Sequence, residues 1–427
     1  MSKSKHHKNN AKDEKNEKDE NFIIKVSPKS KDYLIPEYNL TGDILSFLTC
    51  NLQYRYQNKG SLPPSKPLQL WFGEFLHGVM EEAYIHWELN KTPFPWDWRE
   101  DIRPIEEKID ERLQTRGLYP PSERFYSPYK ILDHVNGNYK KNENPKKRIM
   151  SERIEKSINI WGKEIFPLMK DAEVAISGVR KLPEFKNDLK RAEFYSINGV
   201  IDVLSSLKIN QLLSQNNILL NYLRKNKDIN QYFKTLDVNL INEYEIIIDY
   251  KGMKRPNKTN ERWKEHESQI LTYSWLRRHL NDDKPIIAGI IFYLNELVPS
   301  TKDLKEIRQD IIDNKIDKSV KNIPDDDLKK IIDWNCEEKT FPVLSDEFKI
   351  NRSIRIITID ETTIDNALNE FDSVVGEIEC CLIKEAQGIP IKSVWKAIPD
   401  ERTCDVCDFR NFCNEYKNKK DKTFSIP

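Results

Sequence analysis

Two short motifs each end an apolar run on a charged side chain. They are Gly199-Val200-Ile201-Asp202 and, after Ile246-Ile247-Ile248, Asp249-Tyr250-Lys251. A carboxylate inside such a run is costly to bury unless it is paired or bound to a metal. On a strand, residues two apart share a face, so Asp249 and Lys251 aim at one point. Two carboxylates and a lysine at adjacent strand ends suit a hard divalent cation, Mg²⁺ or Mn²⁺. Such a cation takes oxygen ligands and keeps positions for water and phosphate. It would activate water and stabilise the charge that develops when a phosphodiester is hydrolysed. Read alone, Asp249 and Lys251 equally describe an ion pair at a strand end, with Asp202 a turn residue.

Two helical spacings add to this pair. In Gly73-x3-His77-x3-Glu81 the last two residues stack on one helix face, because positions four apart are neighbours. His77 falls at the edge of an apolar stripe, where its imidazole can add a nitrogen ligand with Glu81 orienting it. The plain alternative is a core-edge histidine bonded to Glu81. Gln269-x3-Tyr273 is a second polar helix face, about twenty residues beyond Lys251. A separate cluster, Cys404-x2-Cys407-x5-Cys413, needs a fourth thiol to enclose a metal centre, and Cys50 is the candidate. Thiolate quartets hold zinc or an iron–sulfur cluster, and the spacing alone does not choose between them. Cys336, Cys380 and Cys381 lack metal spacing and read as buried or incidental thiols.

Alternating helices and strands must position these residues. Helical periodicity covers Leu70 to Leu89, with Phe72, Phe75, Leu76, Val79, Met80 and Ala83 on one stripe, and a short helix from Leu45 to Tyr56 carries Cys50. Glu173–Leu182 and Arg191–Leu207 read as strands, the second turning at Asn198-Gly199. Tyr244–Tyr250 is a central strand, Glu261–Leu280 a helix, Ile286–Leu294 another buried strand and Thr363–Gln387 a last long helix. That order predicts an α/β layer fold with a mixed sheet. Residues 1–32 form a charged tail and 417–427 a second one. A single domain spans 33–416, with insertions near 90–170, 208–242 and 300–350 and a cysteine region at 395–416.

The 427-residue chain can bury a sizeable core, and its 69 Lys plus Arg balance 69 Asp plus Glu. A neutral total does not exclude nucleic acid, which binds to local basic patches. No run reaches the ~18 apolar residues of a membrane span. The N-terminus has no apolar segment of a secretory signal, and its acids disfavour a transit peptide. Seven cysteines, an odd number, argue against a disulfide scaffold and for a reducing intracellular setting.

Taken in order, Gly73-x3-His77, Gly199–Asp202, Asp249-Tyr250-Lys251, Gln269-x3-Tyr273 and the four cysteines resemble the PD-(D/E)XK nuclease superfamily. The resemblance is to its RecB-like branch with a [4Fe–4S] cluster, such as exonuclease V and the CRISPR-associated RecB-type exonucleases. It implies a restriction-endonuclease-like mixed sheet flanked by helices, with helical insertions and a C-terminal iron–sulfur region. It implies His77, Asp202 and Asp249 as ligands of Mg²⁺ or Mn²⁺ and Lys251 as the catalytic lysine, with Gln269 and Tyr273 completing the active site. Cys50, Cys404, Cys407 and Cys413 match the cluster ligands. Asp249 stands where many members carry Glu.

The activity so implied is a metal-dependent DNA exonuclease acting on single-stranded ends in DNA repair, recombination or genome maintenance. A single-stranded-DNA-binding protein or a helicase is the implied protein partner. The implied compartment is intracellular: nucleus, cytoplasm or mitochondrion. An endonuclease or trimming nuclease of a CRISPR adaptation or phage-defence complex is one rival, and a non-catalytic iron–sulfur DNA-binding subunit another. A polyanionic substrate needs a basic, partly aromatic track. Lys254 and Arg255, just past the catalytic lysine, are the first candidates. Tyr139-Lys140-Lys141 with Lys146-Lys147-Arg148, Lys258 and Arg277-Arg278 are others that equally read as solvated surface.

Overall fold

A computed structural model describes residues 35–59, 68–133, 135–184, 190–208, 217–235, 243–280, 284–316, 324–335, 341–398, 400–405, 407–413 and 415–416. The expected tails and Cys336 lie outside the described residues.

Six strands form one mixed sheet: β1 (Glu37–Asn39), β4 (Met169–Lys181), β5 (Phe194–Lys208), β6 (Glu243–Lys251), β7 (Ile286–Tyr293) and β8 (Ile354–Thr358). A separate hairpin joins β2 (Lys130–Leu132) to β3 (Tyr139–Lys141) inside the expected 90–170 insertion. In the large sheet β4 runs antiparallel along one edge of β5. The other edge is shared. β1 pairs in parallel with Ser196–Asn198, and β6 pairs antiparallel from Val203↔Ile248 to Lys208↔Glu243. Residues 199–202 of β5 therefore sit in a gap between two partners. β7 is parallel to β6, and β8 closes the order antiparallel to β7. β6 is central, as its isoleucine run requires.

The helices that matter to the site are α1 (Asn51–Asn58), α2 (Leu68–Asn90), α3 (Arg103–Thr115), α4 (Glu261–Leu280), α5 (Thr301–Ile312) and α6 (Glu361–Ala386). Alternation along β6 divides its side chains. Tyr244, Ile246, Ile248 and Tyr250 join the core built with Trp71, Phe75 and Val79 of α2. Ile247 joins the opposite core with Ile270 and Leu276 of α4 and Phe371 and Val375 of α6. Asp249 and Lys251 share Ile247's parity and so fall on the α4 side. Gly289 of β7 lets α4 lie close, since a Cβ there would meet Ile270 Cγ2 at 2.1 Å.

Several expectations need correction. Asn198-Gly199 is not a turn: β5 runs straight through it, with Gly199 opposite Ile176 of β4. The missing side chain serves packing, because a Cβ at Gly199 would lie 2.4 Å from Tyr273 Cε1. The helix expected over 45–56 breaks at Cys50, whose extended backbone (φ −165°, ψ 110°) separates Ser46–Thr49 from α1. Within 300–350 the described residues include three helices, α5, Asp325–Asp333 and Asp346–Ser353. These enclose a small core of Leu304, Ile307, Ile331, Trp334 and Phe348. The short strands β1 and β8 carry too few residues for a pattern of their own. Among the described residues no helix is long and apolar enough to cross a membrane.

Candidate active site

The β5–β6 ladder ends at Val203↔Ile248, so Asp202 and Asp249 come just past its last pair. Asp202 lies in the gap left between β1 and β6. There its Oδ2 accepts from the Tyr250 backbone N–H at 2.9 Å, in place of a ladder bond. From α2, His77 Nδ1 reaches the same oxygen at 3.2 Å. The imidazole is thus held by Asp202 rather than by the expected Glu81. On β6, Lys251 Nζ lies 3.0 Å from Asp249 Oδ1 and 2.9 Å from Oδ2. From α4, Gln269 Oε1 accepts from Lys251 Nζ at 2.9 Å, and Gln269 Nε2 donates to Tyr273 OH at 3.4 Å. Four elements distant in sequence therefore bring His77, Asp202, Asp249, Lys251, Gln269 and Tyr273 into one chain of polar contacts.

Electrostatics follow from burial and proximity. Burial works to raise the Asp202 carboxyl, but His77, Lys251 and the Tyr250 N–H outweigh it and hold it below the usual carboxylate range. Asp249 goes the other way. Burial, with the Asp202 charge added, pushes it up to about 6 against the pull of Lys251. Burial would lower the His77 imidazolium, but Asp202 first and Asp249 after it overcome that and push it up to about 9. Burial likewise works against the Lys251 ammonium. The Asp249 and Asp202 charges prevail and keep it above its ordinary value, hence protonated.

Two residues escaped the sequence reading. Glu173 of β4 stands beside His77 and Asp202, and one ligand atom from each of the three lies within 4.8 Å of the others. The residue is exposed overall, but desolvation of its carboxyl where it faces the site, then the Asp202 charge, push it up to about 7. Its backbone is left-handed at φ 50°, which strains a non-glycine residue. In sequence it is one Glu among many at a strand start, and neither spacing nor composition separates it. His266 of α4, buried, was also missed. Its Nδ1 lies 3.0 Å from Tyr293 OH, and burial first and Lys251 second push it down to about 3, so it is neutral.

The donor set fits a hard divalent cation. His77, Glu173 and Asp202 converge within 4.8 Å; Asp249 is outside that trio, but its buried Oδ2 has no hydrogen bond and lies 2.9 Å from Lys251 Nζ, within reach of the His77 and Asp202 charges. Carboxylate oxygens with one imidazole suit Mg²⁺ or Mn²⁺.

The proposed phosphate contacts Lys254 and Arg255 are used otherwise. Arg255 is 2% exposed, and its guanidinium donates to the carbonyls of Asn351 and Ile354. Lys254 Nζ pairs with Asp310 Oδ2 of α5 at 2.6 Å. Both fasten the loop after Lys251 to the 300–350 helices, so a basic sequence run became internal pairing. Arg277 is taken by Glu245, bidentate at 2.8 Å to each oxygen.

Away from this centre, Cys50, Cys404, Cys407 and Cys413 line one pocket with Leu52, Tyr56 and Phe409. Burial raises the Cys407 thiol, and the charges of the other three thiols add to it. The Ile398 N–H lies 3.5 Å from Cys50 Sγ and the Leu52 N–H donates to Lys396 O at 3.2 Å, so the segment around Cys50 meets the segment before Cys404 here. Cys380 and Cys381 sit apart on α6, half-buried, with Cys381 Sγ 3.7 Å from Val394 O.

The family model of the PD-(D/E)XK nuclease superfamily matches residues 238–414. That span holds Asp249, Lys251, Gln269, Tyr273 and the three C-terminal cysteines, and it leaves out His77, Glu173, Asp202 and Cys50. No curated protein matches the chain.

Proposed function

We propose that this protein is a Mg²⁺- or Mn²⁺-dependent deoxyribonuclease that digests DNA from single-stranded ends, in repair, recombination or genome maintenance. The observation that carries the reading is the meeting of Asp202, Asp249, His77 and Lys251 at one sheet end. The nuclease superfamily match over β6, α4 and the three C-terminal cysteines supports it. Asp202, Asp249, His77 and Glu173 would hold the cation, which supplies an activated water and charge neutralisation at phosphorus. The chain's own residues do the rest. Lys251, protonated, places a positive charge toward the scissile phosphate or the attacking water. Gln269 holds that ammonium, and Tyr273 holds Gln269. As a ligand His77 would have to be neutral, so cation binding there would release its proton to solvent.

The four cysteines are read as ligands of a [4Fe–4S] cluster that ties Cys50 to the C-terminal region. Their shared pocket with apolar Leu52, Tyr56 and Phe409 supports this reading. Free thiols suit a reducing intracellular compartment.

The test is cleavage of end-labelled single- and double-stranded DNA, with and without Mn²⁺. Wild type should shorten single strands from an end and leave circular single strands intact. Asp202→Ala and Lys251→Ala should abolish cleavage while keeping the fold. Metal-dependent cleavage in both variants sinks the assignment, and cutting of circles replaces exonuclease by endonuclease.

A further inference from the structure

The hairpin of β2 and β3 plays no part in the site above, and its composition is unusual. Residues 130–141 carry three Lys against one Asp, and Lys146, Lys147 and Arg148 follow just beyond β3. Residues directly opposite in an antiparallel pair project to the same side. One side of the hairpin therefore carries the Leu132↔Tyr139 pair and, two positions along, the Lys130↔Lys141 pair. Leu132 is 44% exposed, Tyr139 61%, and Val135 at the tip 89%. Both ammonium groups also lie near the Tyr129 ring, Lys130 Nζ at 5.8 Å and Lys141 Nζ at 5.6 Å.

These features cost stability. Like charges directly across a ladder repel, and a lone two-stranded hairpin is marginal in water. Glu111 offsets part of this, with Lys130 Nζ at 2.9 Å, but the pair is exposed and worth little. An anionic partner with flat apolar groups would relieve both strains at once, and a single nucleic-acid strand has that chemistry. Its phosphates match the lysines, and its bases match Tyr139 and Leu132.

The hairpin is also tied to the candidate active site. Tyr129 N–H donates to Asp110 Oδ2 of α3 at 2.9 Å, and Asn142 Nδ2 holds Ser127 Oγ and Pro128 O at 3.0 Å each. The segment leading into it contains Phe125, whose ring packs 5.3 Å from Phe72 of α2. Phe72 lies against Gly252, the residue after Lys251, so closely that a Cβ there would be 2.0 Å from Phe72 Cε1. One packed path thus runs from the loop after the catalytic lysine to the base of the hairpin.

We propose that the β2–β3 hairpin is a strand-binding arm: Tyr139 stacks a base of single-stranded DNA and the Lys130–Lys141 pair takes its phosphates. This rests on the deoxyribonuclease reading. The arm holds the strand on the Phe72 side of the site. The full-length protein is titrated against a fluorescent oligothymidylate in Ca²⁺, at several salt concentrations. Tyr139→Ala should weaken binding by about fivefold to a hundredfold, the range for loss of one base stack. Tyr139→Phe, which keeps the ring, should bind like wild type. Lys141→Ala should reduce the slope of log affinity against log salt by about 0.7.

Wild-type affinity and salt slope in Tyr139→Ala and Lys141→Ala would overturn the arm. So would hairpin-dependent binding to phosphatidylserine vesicles with none to the oligonucleotide. Cleavage of the same oligonucleotide in Mn²⁺ is scored separately. A wild type that binds but never cuts refutes the nuclease reading, whereas a wild type that cuts while the variants bind unchanged refutes the arm alone.

Discussion

Gly199→Ala is the sharpest test of how the site is held, because it touches no reacting group. The added Cβ would lie 2.4 Å from Tyr273 Cε1 and 2.9 Å from Cζ. Ordinary carbon contact is about 3.5–4.0 Å, so the ring must retreat by roughly 1 Å. Tyr273 is 7% exposed and packed among core residues, so the added Cβ displaces a largely buried ring. Its hydroxyl is 3.4 Å from Gln269 Nε2, already at the long end, and a 1 Å retreat breaks that bond. Gln269 then loses the contact that orients its Oε1 toward Lys251 Nζ at 2.9 Å. A misplacement of this size costs about 10²-fold in rate, or about 2.7 kcal/mol of barrier. Overpacking costs roughly 1–3 kcal/mol of stability as well. The assay is kcat on end-labelled single-stranded DNA in Mn²⁺, with thermal unfolding alongside. A double-mutant cycle separates the two costs. Tyr273→Ala removes the ring that Gly199→Ala displaces, so the double variant should be no worse than Tyr273→Ala alone. Full activity in Gly199→Ala, or strictly additive losses in the cycle, would refute the reasoning.

Other outcomes follow from the same geometry. Glu173→Gln should raise the Mn²⁺ concentration needed for half-maximal cleavage by roughly ten- to a hundredfold, as for weakened metal-site carboxylates; unchanged metal dependence removes Glu173 from the site. His77, raised from 6.5 to about 9, binds its proton more tightly folded than unfolded. Its stabilising contribution is fully present below pH 6.5 and is lost as pH rises through 9. In EDTA, wild type should lose thermal stability over that window, and His77→Ala should lose less; parallel curves count against the His77–Asp202 pair. Purified protein should absorb near roughly 400 nm through thiolate-bound iron, and Cys407→Ser should lose that band. Stoichiometric zinc without iron would reject the cluster.

Much of the site was legible because its signals are local. Asp249 and Lys251 are two apart on a strand, and His77, Gln269 and Tyr273 sit on helices whose ends the apolar periodicity marks within a few residues. Strand period and helix period are properties of the chain itself, so residue type and spacing could name these positions. The central place of β6 was also readable, since three consecutive isoleucines need cover on both faces.

What the tertiary structure alone decided depends on which element lies beside which. Glu173 joins the site because β4 runs antiparallel to β5 and brings its left-handed residue beside Asp202. Asn198-Gly199 has the composition of a turn, but long pairing with β4 overrides that local preference, and the glycine is explained only by the Tyr273 ring. Lys254 and Arg255 carry the charge of a DNA contact, yet Asp310, Asn351 and Ile354 arrive from a hundred residues away or less to claim them. A sequence states which groups a chain owns. Burial and pairing, which set their charge and availability, are settled only when distant segments pack.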